Sequence, residues 1–473
     1  ITGVNDGAVV AGDDLGAVTE DLNVVGGKLS DSGVLTISDA DQGQAKFVAG
    51  NGTPSLGALG SLSITETGTW SYNVDNSKVQ YLGEGETKVE TFVVKSVDGT
   101  EHTVTITITG VNDAAVITGS DTGGVTEDES TPLLTETGTL TVTDVDGADE
   151  AKFVAGNGTP SVGALGSLSI TETGTWSYNV DNSKVQYLGL GETRVESFTV
   201  KSVDGTTHTV TITITGVNDG AVVAGDDLGA VTEDLNVVGG KLSDSGVLTI
   251  SDADQGQAKF VAGNGVPSAD ALGSLSITET GTWSYNVDNS KVQYLGLGET
   301  RIETFTVKSV DGTTHTVTIT ITGVNDGAVV AGDDLGAVTE DLNVVGGKLS
   351  DSGVLTISDA DQGQAKFVAG NGTPSADALG SLSITETGTW SYNVDNSKVQ
   401  YLGLGETRVE SFTVKSVDGT THTVTITITG VNDGAVVAGD DLGAVTEDLN
   451  VVGGKLSDSG VLTISDADQG QAK

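Results

Sequence analysis

One hexapeptide recurs along the chain at an almost constant interval. Ile-Thr-Gly-Val-Asn-Asp begins at Ile1, Ile108, Ile214, Ile321 and Ile428, which gives steps of 107, 106, 107 and 107 residues. A period of this length holds a complete set of strands, so each unit can bury its own core instead of stacking into a solenoid. The interval predicts modules arranged as beads on a string, at residues 1–107, 108–213, 214–320 and 321–427, with a partial fifth at 428–473.

The second unit diverges most from the others. It reads Thr-Asp-Val-Asp-Gly from Thr143, where the other units read Ser-Asp-Ala-Asp-Gln. The partial unit carries only the first strands of a module, so we expect the natural chain to continue.

Short alternating runs bounded by Gly, Asn and Asp indicate the strands, at the spacing of about 8 to 12 residues that is typical of sandwiches. The Glu66-Thr67-Gly68 segment predicts a hairpin turn. With seven or so strands and almost no helix per unit, the sequence predicts an all-β chain of tandem β-sandwiches. The strand candidates of the first unit are 33–38, 45–49, 62–65, 69–74, 89–97 and 102–108.

Each complete unit has a single tryptophan, which suits either a core or a sugar-binding platform. Trp70, Tyr72 and Val74 alternate onto one face of their strand. A carbohydrate platform usually needs several exposed rings, and aromatic residues make up only 4% of the chain. We therefore predict that Trp70 anchors the core.

The charge balance restricts the partners of the chain. It has 21 Lys and Arg against 66 Asp and Glu, a formal net charge of -45, which repels nucleic acid and anionic membranes. No apolar run approaches the roughly 18 residues that span a bilayer, so we expect no membrane span in this segment. The absence of cysteine excludes disulfides. Modules outside the cell therefore need another stabilising cross-link, and acidic side chains that bind a divalent cation are the candidate.

The histidines give little support to an enzyme. They occur once per unit, at one equivalent strand position: His102, His208, His315 and His422. A catalytic site needs a nucleophile, a base or an open metal position, and no partner clusters with these residues in the sequence. We interpret them as exposed strand residues and predict that the chain is not an enzyme.

Carboxylates recur at fixed places, at the predicted strand ends and between the units. In the first unit these are Glu20, the Asp39-x-Asp41 pair, Glu86 and Asp98, followed by Asn112 and Asp113 at the boundary. Such a density of hard oxygen ligands, without sulfur and with little imidazole, favours Ca²⁺ over zinc or copper. A merely solvated acidic surface is the alternative for any one carboxylate, but the fixed spacing of the set favours calcium.

The ordered motifs resemble a known family. Val-Thr-Glu-Asp, Ser-Asp-Ala-Asp, Thr-Gly-Thr-Trp-Ser-Tyr, Val-Asp-Gly-Thr and Ile-Thr-Gly-Val-Asn-Asp are similar to the VCBS repeat of giant bacterial RTX-type adhesins, and also to the cadherin module. The resemblance covers the whole chain. It implies immunoglobulin-like sandwiches, calcium bound between successive modules, type I secretion, and a structural role in cell adhesion or biofilm at the bacterial surface.

The cadherin resemblance also implies which residues hold calcium at each junction. One module would provide its early and late Glu and the linker would provide Asn and Asp, while the next module would provide Asp-x-Asp and Val-Asp-Gly. The first junction would use Glu20, Glu86, Asn112, Asp113, Asp144, Asp146 and Asp204. The second would use Glu127, Glu192, Asn218, Asp219, Asp252, Asp254 and Asp311. The third would use Glu233, Glu299, Asn325, Asp326, Asp359, Asp361 and Asp418. The fourth would use Glu340, Glu406, Asn432, Asp433, Asp466 and Asp468.

The sequence departs from both families in one respect each. The linker has no acid before Val-Asn-Asp, which favours fewer ions per junction than in cadherins, and the calcium-binding nonapeptide of RTX proteins is absent. The expected partners are calcium and the neighbouring repeats, with surface or matrix glycans and proteins bound by regions outside this segment. Two alternatives remain open: a multivalent array that binds glycans or proteins, and an extracellular sheath or filament that assembles laterally.

Overall fold

The computed structural model describes residues 2–473. Its first module is a sandwich of two sheets. One sheet has the strand order β1-β3-β7-β6-β4 and the other β2-β9-β8-β5. Every pairing is antiparallel except that of β2 with β9, which is parallel. The strands are β1 Val9–Gly12, β2 Leu15–Thr19, β3 Lys28–Ser38, β4 Gly50–Asn51, β5 Thr53–Pro54, β6 Ser61–Ile64, β7 Thr69–Asp75, β8 Thr87–Lys95 and β9 Glu101–Thr109, with a 3₁₀ helix at Asn76–Lys78.

The next three modules repeat this topology, strand for strand. The second has β10 Val116–Gly119, β11 Thr122–Thr126, β12 Leu133–Thr143, β13 Gly156–Asn157, β14 Thr159–Pro160, β15 Ser167–Ile170, β16 Thr175–Asp181, a 3₁₀ helix at Asn182–Lys184, β17 Thr193–Lys201 and β18 Thr207–Thr215. The third has β19 Val222–Gly225, β20 Leu228–Thr232, β21 Lys241–Ser251, β22 Gly263–Asn264, β23 Val266–Pro267, β24 Ser274–Ile277, β25 Thr282–Asp288, a 3₁₀ helix at Asn289–Lys291, β26 Thr300–Lys308 and β27 Thr314–Thr322.

The fourth module is complete, and the residues after it form one strand pair. The fourth has β28 Val329–Gly332, β29 Leu335–Thr339, β30 Lys348–Ser358, β31 Gly370–Asn371, β32 Thr373–Pro374, β33 Ser381–Ile384, β34 Thr389–Asp395, a 3₁₀ helix at Asn396–Lys398, β35 Thr407–Lys415 and β36 Thr421–Thr429. The pair consists of β37 Val436–Gly439 and β38 Leu462–Ser465. The prediction of an all-β chain of tandem sandwiches is confirmed. No helix among residues 2–473 is long and apolar enough to cross a membrane.

Each module has its own core between its two sheets. In the first, Trp70 and Tyr72 are 0% exposed and Val74 is 1% exposed, so their predicted face is the core face. The Trp70 indole donates a hydrogen bond to the carbonyl oxygen of Asp13 at 2.7 Å, which satisfies its one polar group inside the sandwich. Because all four tryptophans are buried, none of them forms a sugar platform.

A buried glutamate ties the two sheets together. Glu90 is 1% exposed and accepts hydrogen bonds from the Leu59 and Gly60 N–H groups and from the Tyr72 hydroxyl, at 2.5, 3.2 and 2.8 Å. In the second module, Arg194 adds a fourth donor to the equivalent Glu196. Buried polar groups are stable when they are fully hydrogen-bonded, and this network provides the required partners.

Three details of the sequence prediction need correction. The expected strand at 45–49 does not form: within this segment Phe47 makes a single isolated β-bridge, to Ser96. The strands β1, β2, β4 and β5 were not predicted. The histidines are half-buried and have a partner, since His102 Nε2 lies 3.2 Å from Asp14 Oδ2 across 88 positions of the chain.

By its contacts the chain forms two compact units. The first contains Ile1–Gly220 and Asp252–Gln257, and the second contains Ala221–Ser251 and Ala258–Lys473. The short segment Asp252–Gln257, which includes the third Asp-x-Asp pair, therefore belongs with the residues that precede the third module.

Candidate metal centre

The early glutamate of each module sits where the parallel strand pair ends. Glu20 directly follows β2, and its N–H bonds the Thr109 carbonyl at the end of β9 at 2.9 Å. Its carboxylate accepts hydrogen bonds from the Gln80 amide and, at 3.4 Å, from the Val111 N–H of the linker. Glu20 is only 1% exposed, so the sheet and the linker hold its carboxylate in one place.

The Asp-x-Asp pair approaches from the other side of the linker. It follows β12, and the Asp146 N–H bonds Asp144 Oδ1 at 3.0 Å. The Asp113 N–H bonds Asp146 Oδ2 at 2.8 Å. The Ala115 N–H bonds Asp204 Oδ2 at 3.1 Å. The linker is thus held by side chains from the module that follows it.

The same arrangement occurs before the first module. The Asp6 N–H bonds Asp41 Oδ2 at 2.9 Å, the Asp41 N–H bonds Asp39 Oδ1 at 2.7 Å, and the Ala8 N–H bonds Asp98 Oδ2 at 3.1 Å. Structurally, the aspartate of the linker therefore belongs to the module that it precedes, and the glutamate belongs to the module before.

The carboxylates of the first junction perturb one another's pKa values. Burial raises the pKa of Glu20 to about 7, and the nearby charges of Asp113 and Asp146 add to this shift, although the Val111 N–H lowers it. Burial and the neighbouring aspartates also raise the pKa values of Asp113 and Asp146. Asp204 is half-buried, and although this burial opposes it, hydrogen bonds from Ser202 and Thr206 lower its pKa to about 2. The junction is a site of unbalanced negative charge.

Several carboxylate oxygens at this junction have no hydrogen-bond partner. These are Oδ2 of Asp113, Oδ2 of Asp144 and Oδ1 of Asp146, all buried. Among residues 2–473, none of the ion pairs includes Asp113, Asp144 or Asp146. Buried charge without a partner is costly, and a hard cation with oxygen ligands is the partner that fits.

The carboxylates are gathered at the junction but are not closed around one point. Within residues 2–473, no three His, Asp or Glu side chains already form a compact ion-binding group. Like charges repel at short range, and Ca²⁺ also takes amide, backbone and water oxygens in a flexible shell. By its chemistry the donor set therefore fits calcium.

The third and fourth junctions have the same geometry. Glu233 accepts the Val324 N–H at 3.1 Å, and the Asp326 N–H bonds Asp361 Oδ2 at 3.2 Å. The pKa of Glu233 is also raised by burial, to about 7. In the fourth junction, the Val431 N–H bonds Glu340 at 3.2 Å and the Asp433 N–H bonds Asp468 at 3.1 Å. Oδ2 of Asp326, Asp359 and Asp433 and Oδ1 of Asp361 and Asp468 have no hydrogen-bond partner.

At the second junction, the first compact unit contains most of the predicted set. The Val217 N–H bonds Glu127 at 3.1 Å, and the Asp219 N–H bonds Asp254 Oδ2 at 3.2 Å. The Asp254 N–H bonds Asp252 Oδ1 at 2.9 Å. Asp311 belongs to the second unit.

A cavity of about 350 Å³ adjoins the third junction. Asp326 from the linker and Asp359 from the Asp-x-Asp pair line it, together with Gln293, Gly327, Val329, Ser358 and Ala360. Gln293 also donates hydrogen bonds to Glu233 and Asp234, at 2.8 and 3.0 Å. Two of the predicted calcium ligands thus face one open space.

The late glutamates and the linker asparagines are held less firmly. Glu86 is exposed, although its charge contributes to the raised pKa of Asp146. Glu299 accepts the Gly296 N–H of its own turn at 3.2 Å, as Glu192 and Glu406 do in theirs. The linker Asn112 donates to the Asp113 carbonyl oxygen at 3.2 Å, and Asn218, Asn325 and Asn432 make the same contact.

One aspartate at each junction was missed in the sequence. Asp21 follows Glu20, and its charge contributes to the raised pKa of Asp113. Its φ of 54° lies in the left-handed region, which aspartate tolerates better than most residues. The equivalent residues are Asp128, Asp234 and Asp341. The repeated Glu-Asp pair was the available signal, and only its first member was selected.

A comparison with known protein families finds one match for each of the four complete repeats. A sequence model described as the bacterial cadherin-like domain matches residues 5–110, 112–216, 218–323 and 325–430. No curated protein matches the chain.

Three solved structures are similar to the chain. The extracellular domain of protocadherin γB4 is 14% identical over 98% of this chain and 74% of its own, with a TM-score of 0.41. A Ca²⁺-stabilized adhesin, with which an Antarctic bacterium reaches out and binds ice, is 16% identical over 91% of this chain and 100% of its own, with a TM-score of 0.28. The human desmocollin-1 ectodomain is 14% identical over 97% of this chain and 86% of its own, with a TM-score of 0.31.

Proposed function

Since the chain belongs to the bacterial cadherin-like domain family, we propose that it is the calcium-rigidified extender, or stalk, of a large secreted bacterial adhesin. In this role the modules carry no catalytic site and act as spacers that project an adhesive region from the cell surface. The observation that carries the proposal is the repeated set of buried carboxylate oxygens without partners at the linkers.

Calcium would be held at each linker by the residues predicted from the sequence. At the first junction Glu20, Asp113, Asp144 and Asp146 offer buried oxygens, and Asp204 stays ionised because its pKa is low. A bound divalent cation provides positive charge and directional oxygen coordination. Glu20 anchors the linker to the preceding module and Asp146 anchors it to the following one.

The finer parts of the proposal come from the VCBS and RTX resemblance. They are type I secretion, a bacterial cell-surface location, and adhesion to cells or biofilm matrix through regions outside this segment. The domain boundaries at 107, 213, 320 and 427 remain predictions from the interval of the hexapeptide. The linker aspartate interacts with the following module, so boundaries drawn before the hexapeptide divide the junction ligands between two modules.

The test is small-angle X-ray scattering on the full chain during calcium titration and subsequent chelation. We expect calcium to increase the maximum dimension and to reduce the conformational spread, and we expect chelator to reverse both changes. As a matched control, an equal concentration of magnesium should have little effect, because Mg²⁺ demands tighter octahedral geometry and keeps its waters. A scattering curve that does not change with calcium would refute the calcium-rigidified extender. It would favour the alternative of a multivalent array that binds glycans or proteins.

A further inference from the structure

The first junction has two carboxylates that the other junctions lack. Glu84 stands where later modules have Leu190, Leu297 and Leu404. Glu150 stands where they have Gln257, Gln364 and Gln471, in a loop that is one residue longer. Each replacement adds a negative charge to a junction that already has an excess of them.

Both residues lie at the linker. Glu84 Oε2 accepts the N–H of Asn112 at 3.2 Å. Glu150 packs against Gly83 of the preceding module, where a Cβ would meet its Oε1 at 2.7 Å. The same Cβ would lie 3.9 Å from the Cβ of Asp146, so the Glu150 carboxylate lies near the Asp-x-Asp pair.

In the other junctions a glutamine takes the position of Glu150, and its amide can donate a hydrogen bond to the Asp-x-Asp pair instead of adding a negative charge. Gln257 Nε2 lies against Gly189 and donates to Asp254 Oδ2 at 2.9 Å. Gln364 donates to Asp361 Oδ2 at 3.1 Å. An amide donor partly satisfies the aspartate without any metal, whereas an ionised glutamate only accepts hydrogen bonds.

A backbone link across the linker shows the same difference. The Gln362 N–H bonds the Tyr294 carbonyl at 2.9 Å, and Gln255 with Tyr187 and Gln469 with Tyr401 make the same bond. Gly147 stands in this position at the first junction. In the part of the chain that the structure describes, Gly147 donates no such bond to Tyr81.

A buried oxygen without a partner lies beside the two carboxylates. Asp146 is 7% exposed and its Oδ1 has no hydrogen-bond partner. We propose that Glu84 and Glu150 are additional cation ligands, and that the first junction depends on its bound cation for order more than the other three. This inference rests on the proposed binding of calcium at the junctions. The remaining junctions keep their backbone links without metal.

The test uses the full chain and two exchange variants. The first, Glu84→Leu with Glu150→Gln, gives the first junction the side chains of the others. The second, Leu190→Glu with Gln257→Glu, transfers the two carboxylates to the second junction. Both variants use residues that occur at equivalent positions, so folding should be preserved, and circular dichroism checks this.

Two measurements are made on each chain. Equilibrium dialysis against ⁴⁵Ca²⁺ gives the number of bound ions and their affinities. Digestion with a serine protease that cuts after glutamate and aspartate and needs no metal, in saturating chelator and in calcium, reports the order of each linker at the shared Val-Asn-Asp sequence. Cuts after Asp113, Asp219, Asp326 and Asp433 release fragments of different mass, so intact-mass analysis assigns every cut.

We expect chelator to expose the first linker at least about tenfold faster than the others, and calcium to protect all four. The first variant should lose this excess cleavage and weaken one class of calcium site about tenfold, because ligand charge sets calcium affinity. The second variant should gain excess cleavage at the linker that contains Asp219, while the first linker keeps its own. Equal cleavage of all four linkers, or unchanged calcium affinity in the first variant, would overturn the inference alone. A wild-type chain that binds no calcium would refute the proposed function itself.

Discussion

Replacing the buried glutamate of every junction with glutamine should raise the stability of the metal-free chain and reduce the stabilisation that calcium provides. The variant combines Glu20→Gln, Glu127→Gln, Glu233→Gln and Glu340→Gln, so that all four modules change together. These side chains are at most 2% exposed. The two signs have one cause, because a buried carboxylate is unfavourable without a cation and is a ligand when one is present.

The magnitude follows from the pKa of Glu233. Burial raises this pKa from 4.5 to about 7, so at pH 8 the charged form costs about 3 kcal/mol, at about 1.4 kcal/mol per pKa unit. Glutamine loses one of the two hydrogen bonds that Glu233 accepts, from Val324 and Gln293, which costs about 1 kcal/mol. The net gain of about 2 kcal/mol per module corresponds to a Tm increase of roughly 8 °C.

The pH dependence has a definite sign. A carboxyl group with a raised pKa in the folded state binds its proton more tightly when folded than when unfolded. Its contribution is therefore favourable at acid pH and is lost as the pH rises from 4.5 through about 7. The metal-free wild type should lose stability over this window, and the quadruple variant should lose less.

Calorimetry of both chains in chelator and in calcium, at pH 5 and pH 8, tests these expectations. A control variant carries glutamine at the exposed glutamates of the same junctions, Glu86, Glu192, Glu299 and Glu406, and should melt like wild type in chelator. A quadruple variant that is less stable than wild type in chelator at pH 8 would refute the reasoning, and so would one that is equally stabilised by calcium.

Three further predictions concern the modules themselves. Trp390→Ala should cost the fourth module about 3 to 5 kcal/mol in urea unfolding, because the side chain is 0% exposed and leaves a large cavity. Although burial opposes it, hydrogen bonding holds the pKa of Glu196 below its usual value, so the second module should lose stability as the pH falls below about 4, and Glu196→Gln should reduce that slope in acid titration followed by circular dichroism. A Cβ on Gly138 would meet the Trp176 ring at 2.3 Å, whereas one on Gly124 finds nothing nearer than 3.5 Å, so thermal melts should show Gly138→Ala destabilising by about 1 to 3 kcal/mol and Gly124→Ala by much less.

The core could be predicted from the sequence because it depends on local alternation. Val104, Ile106 and Ile108 alternate with threonine in β9, and all three are fully buried. The strand β2 could not be predicted in this way, because its short Leu15–Thr19 run contains a glycine and is stabilised by parallel pairing with β9, far along the chain. The segment 45–49 has the composition of a strand but only one bridging residue.

The candidate site was predictable by residue type but not by contact. Repetition picked out the carboxylates, because acids at fixed spacing recur in every unit. The contacts depend on tertiary structure: the Glu20 carboxylate and the Val111 N–H are 91 positions apart. Gln80 donates hydrogen bonds to both Glu20 and Asp21. A search for recurring acidic residues does not find it, because its side chain is neutral.

The position of the glutamate couples the linker to the core. Glu20 closes β2 through its backbone bond to Thr109, and its carboxylate holds the next turn of chain at Val111. Val18, in β2 two residues before Glu20, is buried in the core. A cation that fixes the Glu20 carboxylate therefore stabilises the edge of the parallel strand pair as well as the linker. Binding to the folded junction alone stabilises the module by mass action, so calcium should raise module stability and linker order over the same concentration range. A calcium titration in which the linker became protected from protease while the Tm did not change would separate the two and contradict this coupling.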